Sequence, residues 1–182
     1  MQNTKLKFTC RDYLLLPEGD RRELLEGDFY VVPGPSFRHQ TISRNLGRLL
    51  WEFVRRNGLG QVVWAPFDVV LSPESVVQPD ILFVSNDRCE IITKDNISGA
   101  PDLVIEILSP STAERDRELK LTLYTRYGVQ EYWIVDPEDG TVQVMVLGAD
   151  RSATARTYDS GFVESGILPE LIVPLDEIFS TD

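Results

Sequence analysis

The chain has 182 residues, with 29 acidic side chains against 18 Lys and Arg, one histidine and two cysteines, and that length suits one domain with its own core, read here as residues 1–182. At 42% hydrophobic and 26% charged residues it lies outside the collagen-like, disordered and coiled-coil classes. A net charge of −11 opposes general nucleic-acid binding, whose non-specific part comes from Lys and Arg on phosphates.

In chain order, residues 9–17 (TCRDYLLLP) predict a short helix with Thr9 as N-cap and Pro17 as its stop. RRELLEGDFYVVPGP predicts a hairpin turning at Gly27 and closed by Pro33-Gly34-Pro35. From Ser36 to about Asn57, Ile42, Leu46, Leu49, Leu50 and Phe53 recur at helical spacing, with Gly58 as the C-terminal stop. QVVWAPFDVVL and DILFVS each read as a strand between 61 and 85, and 86–100 reads as a polar loop. A third strand, Asp102 to Leu108, ends at Ser109-Pro110-Ser111, where Ser111 and Glu114 form a capping-box pattern. The helix it starts carries Leu119, Leu123 and Tyr127 and stops at Gly128. EYWIVD and TVQVMVL form two further strands about Pro137-Glu138-Asp139-Gly140, and the tail ends in an extended segment and a last turn. This order predicts an α/β fold with a central mixed sheet flanked by helices, preceded by an N-terminal helix and hairpin.

Cys10 and Cys89 lack metal-ligand spacing, and MQNTKLKFTCRDYLL holds no secretory apolar run, so a reducing, cytoplasmic setting is expected. The longest apolar runs, such as Leu103-Val104-Ile105, fall far short of the roughly 20 residues of a membrane helix.

Glu106 is the most informative residue, since it interrupts Leu103-Val104-Ile105-Glu106-Ile107-Leu108, a strand apolar on both faces. A carboxylate there must be paired, protonated or metal-bound. Asp80 enters a second apolar strand, Ile81-Leu82-Phe83-Val84, directly after Pro79. Two acids on two such strands point to one shared site; the alternative is an arginine partner for Glu106 and a strand-capping role for Asp80. Lys120, on the following helix, is the candidate third member, or else an exposed ion-pair partner of Asp116 four residues earlier. Two carboxylates suffice for Mg²⁺ or Mn²⁺, which keeps several waters, so Asp80, Glu106 and Lys120 match metal-assisted phosphodiester hydrolysis. Pro101-Asp102 competes with Pro79-Asp80, but Asp102 and Glu106 would stand roughly 13 Å apart along one strand.

The ordered strings PDILFV, PDLVIEILSPST, Asp116 through Lys120 and Tyr124, and GVQEYWIVDP, with RRELLEGDFYVVPGPSFRHQTISRNL upstream, resemble the Uma2 family of bacterial restriction-type endonucleases, and through it the PD-(D/E)XK nuclease superfamily. The likeness spans roughly residues 10–148. It implies a restriction-endonuclease-like fold, a metal-dependent endonuclease, Asp80 as the Pro-Asp acid and Glu106 as the second acid. Leu108 stands where the superfamily's usual lysine would be, and Lys120 is the natural substitute. The likeness further makes Glu23 the hairpin acid and His39 the helix-start histidine, each either at the rim or directly behind the metal-holding residues. His39 also shares the wheel face of Ile42, Leu46 and Phe53, as either a histidine bonded to a backbone carbonyl or a polar group at the metal site. Asp68 and Tyr124 are further candidates for the site wall.

Segment 36–61 carries Arg38, Arg44, Arg48, Arg55 and Arg56 against Glu52, a local balance of +4 that leaves −15 for the rest. Arg44, Arg48 and Arg55 lie within about 40° of one another at 100° per residue, as phosphate contacts or as a solvated face. The reading is a Mg²⁺-dependent nuclease acting on DNA; the alternative is an inactive nuclease-fold binding or assembly module. A homodimer would match the two-fold symmetry of a duplex.

Overall fold

The computed structural model describes residues 6–17 and 19–181; the ends of the 1–182 domain reading lie outside them. Helix α1 is a single turn, Cys10–Tyr13, shorter than the predicted 9–17; it starts as expected at Thr9, whose amide and hydroxyl both donate to Asp12 Oδ2 at 2.7 and 2.8 Å. Strands β1 (Arg22–Leu25) and β2 (Asp28–Val31) form the expected hairpin, turning through Glu26 and Gly27 at φ 51° and 82°. Helix α2 spans Phe37–Asn57. Ser36 Oγ accepts from the His39 amide at its start, and Gly58 ends it in the left-handed region.

QVVWAPFDVVL is not one strand. It divides at Pro66, which has no N–H for a ladder, into β3 (Gly60–Trp64) and β4 (Asp68–Ser72), and these belong to different sheets. Strand β5 (Ser75–Val77) returns on β4, and β6 (Ile81–Ser85) returns to β3. The segment expected to be loop forms a 3₁₀ turn, Asn86–Ile91, and β7, Asn96–Ser98. After β8 (Leu103–Ile107) come α3 (Ala113–Arg115), a π turn (Asp116–Lys120) and α4 (Leu121–Tyr127), which run on as one helical segment. It starts after Thr112 rather than Ser111. Strands β9 (Glu131–Asp136) and β10 (Thr141–Leu147) are followed by β11 (Ala153–Tyr158), β12 (Phe162–Glu164), β13 (Ile172–Pro174) and α5 (Leu175–Phe179).

The central sheet has order β11-β10-β9-β8-β6-β3, with β8 and β9 parallel; the second has order β2-β1-β5-β4-β7. Alternation along β8 decides the layers. Leu103, Ile105 and Ile107 pack against Ile42, Leu46 and Leu50 of α2. Val104 and Leu108 face the other way, toward Leu123 and Tyr124 of α4 and Leu25, Val69 and Val77 of the second sheet. The central sheet is thus covered on both faces, and Glu106 shares the parity of Val104 and Leu108. Leu108 is buried in that apolar layer.

Other acids hold the frame. Asp102 accepts from the Ser85 amide, Arg88 and Gln130 at 2.7, 2.9 and 2.6 Å, so it is a structural anchor. Glu131 accepts from the Trp133 indole and Ser165 hydroxyl at 2.7 and 2.8 Å, fastening the chain after β12 to β9.

Candidate active site

The register between β6 and β8 builds the site. Ile81 pairs with Ile105 in an antiparallel ladder, and Asp80 directly precedes that ladder, its Oδ2 accepting from the Ile107 amide at 2.8 Å, which brings it beside Glu106. Like charges this near repel, Asp80 adding to the upward shift of Glu106, and this pair therefore calls for a cation or a proton.

The π turn supplies the cation. Over four residues a plain α-helix drifts by about 40°, and a wider i→i+5 turn takes up that drift. Asp116, Lys120 and Tyr124, spaced by four, are all buried. Lys120 Nζ lies 2.8 Å from Glu106 Oε1, 2.8 Å from Glu23 Oε1 and 3.5 Å from Asp116 Oδ1. The exposed Asp116–Lys120 pair considered from spacing is therefore wrong in its surroundings: the two residues do pair, but inside the protein and around a shared ammonium. Tyr124 O–H donates to Glu106 Oε1 at 2.7 Å, from beneath the site rather than from its wall. Glu106 thus has a lysine and a tyrosine as partners.

Glu23 arrives from β1, and its Oε1 also accepts from the Gln78 amide at 2.9 Å; Arg115 approaches its Oε2 at 3.7 Å. His39, from the first turn of α2, places Nε2 3.2 Å from Asp80 Oδ2, and the same oxygen accepts from the Ile107 amide at 2.8 Å. Asp80 therefore caps β8 and also faces the site. Asp68 accepts from Tyr13 and Gln78 at 2.8 and 2.7 Å, which places it one residue behind the wall. Of the arginine face, Arg44 bonds Asn45, Arg48 pairs with Glu52 and Glu177, and Arg55 lies over the Trp51 ring at 4.9 Å.

Glu23, His39, Asp80, Glu106, Asp116 and Lys120 line one cavity of about 540 Å³. Burial pushes the Glu106 carboxyl well above its ordinary range; Lys120 opposes the shift, while Asp116, Asp80 and Glu23 add to it. Burial would lower the Lys120 ammonium, but Glu106, Glu23 and Asp116 together hold it well above its usual value. Asp116 is raised, first by burial, against the pull of Lys120. Burial likewise acts to lower His39, but the hydrogen bond and charge of Asp80 and the Ile107 backbone outweigh it and the imidazole is raised. Among the described residues no three His, Cys, Asp or Glu side chains converge as a ready cation cage. A hard cation needs only one or two carboxylates, and Asp80 and Glu106, which line the cavity together, are a pair of the kind that fits such an ion; the hydrogen-bond-free Glu23 Oε2 and Asp116 Oδ1 instead face Arg115 and Lys120.

Sequence reasoning missed Asp116 as a site residue, and Gln78 and Arg115 with it. The four-residue spacing of Asp116, Lys120 and Tyr124 was the available signal.

A mixed sheet with its acids on facing strands and a buried lysine beneath them is a restriction-endonuclease-like architecture. Residues 10–176 match the Uma2 family, described as "Putative restriction endonuclease", and the chain belongs to that family. An uncharacterized protein of Synechocystis sp., sll1609, is 26% identical over 132 residues, covering 71% of this chain and 75% of that one. A protein from Anabaena variabilis described as "a putative nuclease belonging to DUF820" shares the fold at a TM-score of 0.79 and 22% identity, over 94% of this chain and 97% of that one. Among the described residues no helix is long and apolar enough to cross a membrane.

Proposed function

We propose that this protein is a divalent-metal-dependent endonuclease hydrolysing phosphodiester bonds in DNA, with Asp80 and Glu106 holding Mg²⁺ or Mn²⁺. The observation that carries the reading is the Lys120 ammonium 2.8 Å from Glu106 Oε1, with Asp80 lining the same cavity. When bound, the ion would lower the pKa of its water and neutralise charge on the phosphate. The chain's own groups do the rest. Lys120 stays protonated and offers a donor where negative charge develops, Glu23 and Asp116 keep that ammonium in place, Tyr124 orients Glu106, and His39 with the Ile107 amide orients Asp80.

The test is cleavage of plasmid and oligonucleotide DNA with Mg²⁺ or Mn²⁺ by wild type, Asp80→Asn and Glu106→Gln, with Mn²⁺ titration calorimetry alongside. Cleavage and Mn²⁺ binding that both variants lose support the reading; equal cleavage by all three overturns it. A second reading, a non-catalytic binding or assembly module, is favoured by the close internal neutralisation of Lys120 by three carboxylates; Mn²⁺ heat absent from the wild type would support it. A two-fold dimer suits the cutting of both strands of a duplex, and light scattering measures it.

A further inference from the structure

The cavity continues along α2. Gln40 and Ser43 line it, and so do Ala65 and Pro66, which directly follow Trp64 at the end of edge strand β3. One turn beyond Ser43 stands Gly47, buried against the Trp64 indole, where a Cβ would overlap the ring nitrogen. One turn further is Trp51, and one more is Arg55, whose guanidinium lies 4.9 Å over the Trp51 ring. Both indoles keep more than a third of their surface in solvent. Glycine inside a helix is conformationally costly, and here it gives Trp64 a seat level with the helix surface. Arg44 shares this face, and the acids beside it, Glu52 and Glu177, are both drawn onto Arg48.

We infer that this row is a track for single-stranded nucleic acid, running from the cavity over Trp64 and Trp51 to Arg55. The inference rests on the nuclease reading for the position of the cut bond and adds the substrate class. Partly exposed aromatic rings accept unpaired bases irrespective of sequence, and a cation stacked on such a ring meets the backbone. A duplex keeps its bases stacked on one another and offers these rings no free base. From Ser43 to Arg55 the helix runs for about 18 Å, room for roughly five nucleotides at the 3.4 Å rise of a stacked strand.

The experiment measures fluorescence anisotropy of labelled 12-nucleotide oligodeoxythymidine, oligouridine of equal length and a 12-base-pair duplex, in EDTA at low salt. The full chain is compared with Trp51→Ala, Trp64→Leu, Arg55→Gln and, as a control on the opposite edge strand β11, Arg156→Gln. Expected are tighter binding of single strands than of duplex, tryptophan quenching on binding, at least fivefold weaker binding by Trp51→Ala and Arg55→Gln, and unchanged binding by Arg156→Gln. The two oligonucleotides distinguish DNA from RNA as the bound strand. Trp51→Ala and Arg55→Gln alter a solvent-facing row, so they keep the test valid should Trp64→Leu fail to fold. Wild type that binds no single strand, prefers duplex, or is unaffected by both variants overturns the inference; self-association abolished by Trp51→Ala would then assign the face to a second copy of the chain. Strand binding that maps to Trp51 and Arg55 without cleavage under any metal keeps the track and removes the hydrolytic reading. Asp80-dependent cleavage of single strands at wild-type KM by both variants does the reverse.

Discussion

Lys120 and Glu106 are fourteen residues apart in the chain and 2.8 Å apart in space, both buried. Their contact joins the helical segment 113–127 to the central sheet, and Glu23 and Asp116 close around the same ammonium. Removing one partner of a buried charge cluster leaves the others uncompensated. Lys120→Met is therefore expected to lower unfolding free energy by about 3–5 kcal/mol in urea titrations and to abolish cleavage. A loss below about 1 kcal/mol would mean that the carboxylates accept protons without the lysine.

Glu106→Gln should separate stability from function. The native carboxyl is drawn toward its neutral form by burial, and by Asp116, Asp80 and Glu23 against Lys120. A neutral amide relieves that repulsion while Lys120 keeps Glu23 and Asp116. Chemical denaturation at pH 7 should show stability equal to or above that of wild type, while kcat falls by about 10²–10³-fold, the scale of losing one charged partner of the reaction.

The same shift sets a pH dependence. Because the folded value lies above the ordinary 4.5, the native state holds a proton that the unfolded chain has released. The contribution of Glu106 to stability is then fully present below pH 4.5 and lost as pH rises through the folded value. Urea midpoints measured upward from pH 4.5 should decline more steeply for wild type than for Glu106→Gln; parallel curves would show that Glu106 titrates normally.

Tyr124→Phe removes only the hydroxyl that donates to Glu106 Oε1 at 2.7 Å. A hydrogen bond between neutral groups is worth about 0.5–1.5 kcal/mol, and a stability loss in that range with a reduced kcat and unchanged KM is expected. An unchanged kcat would confine Tyr124 to packing.

Gly47→Ala sets two effects against each other. Alanine in a helix interior gains about 1 kcal/mol over glycine, but its Cβ would collide with the Trp64 indole, and overpacking costs about 1–3 kcal/mol. Thermal denaturation should show net destabilisation; a higher Tm would mean that the indole swings away at little cost.

Helix α2 and the first hairpin were legible because their signals are local: apolar spacing, Ser36 and Gly58 at the helix ends, Gly27 in the turn. Strand β11 was not legible, because Ala153 to Thr157 are exposed along an edge strand and have no alternation to read. The division of QVVWAPFDVVL between two sheets was hidden for another reason: apolar alternation does not say which sheet will receive it.

Residue identity alone determined that Glu106 in an apolar strand had to be neutralised, and that Asp80 and Lys120 were partners to consider, since no carboxylate enters such a strand uncompensated. Tertiary structure decided the remainder. The pairing of β6 on β8 brought Asp80 to the Ile107 amide, beside Glu106, and the π turn faced Lys120 inward together with Asp116 and Tyr124. Pairing register and helix facing follow from contacts between segments far apart in the chain, and each is settled by packing that local spacing does not encode.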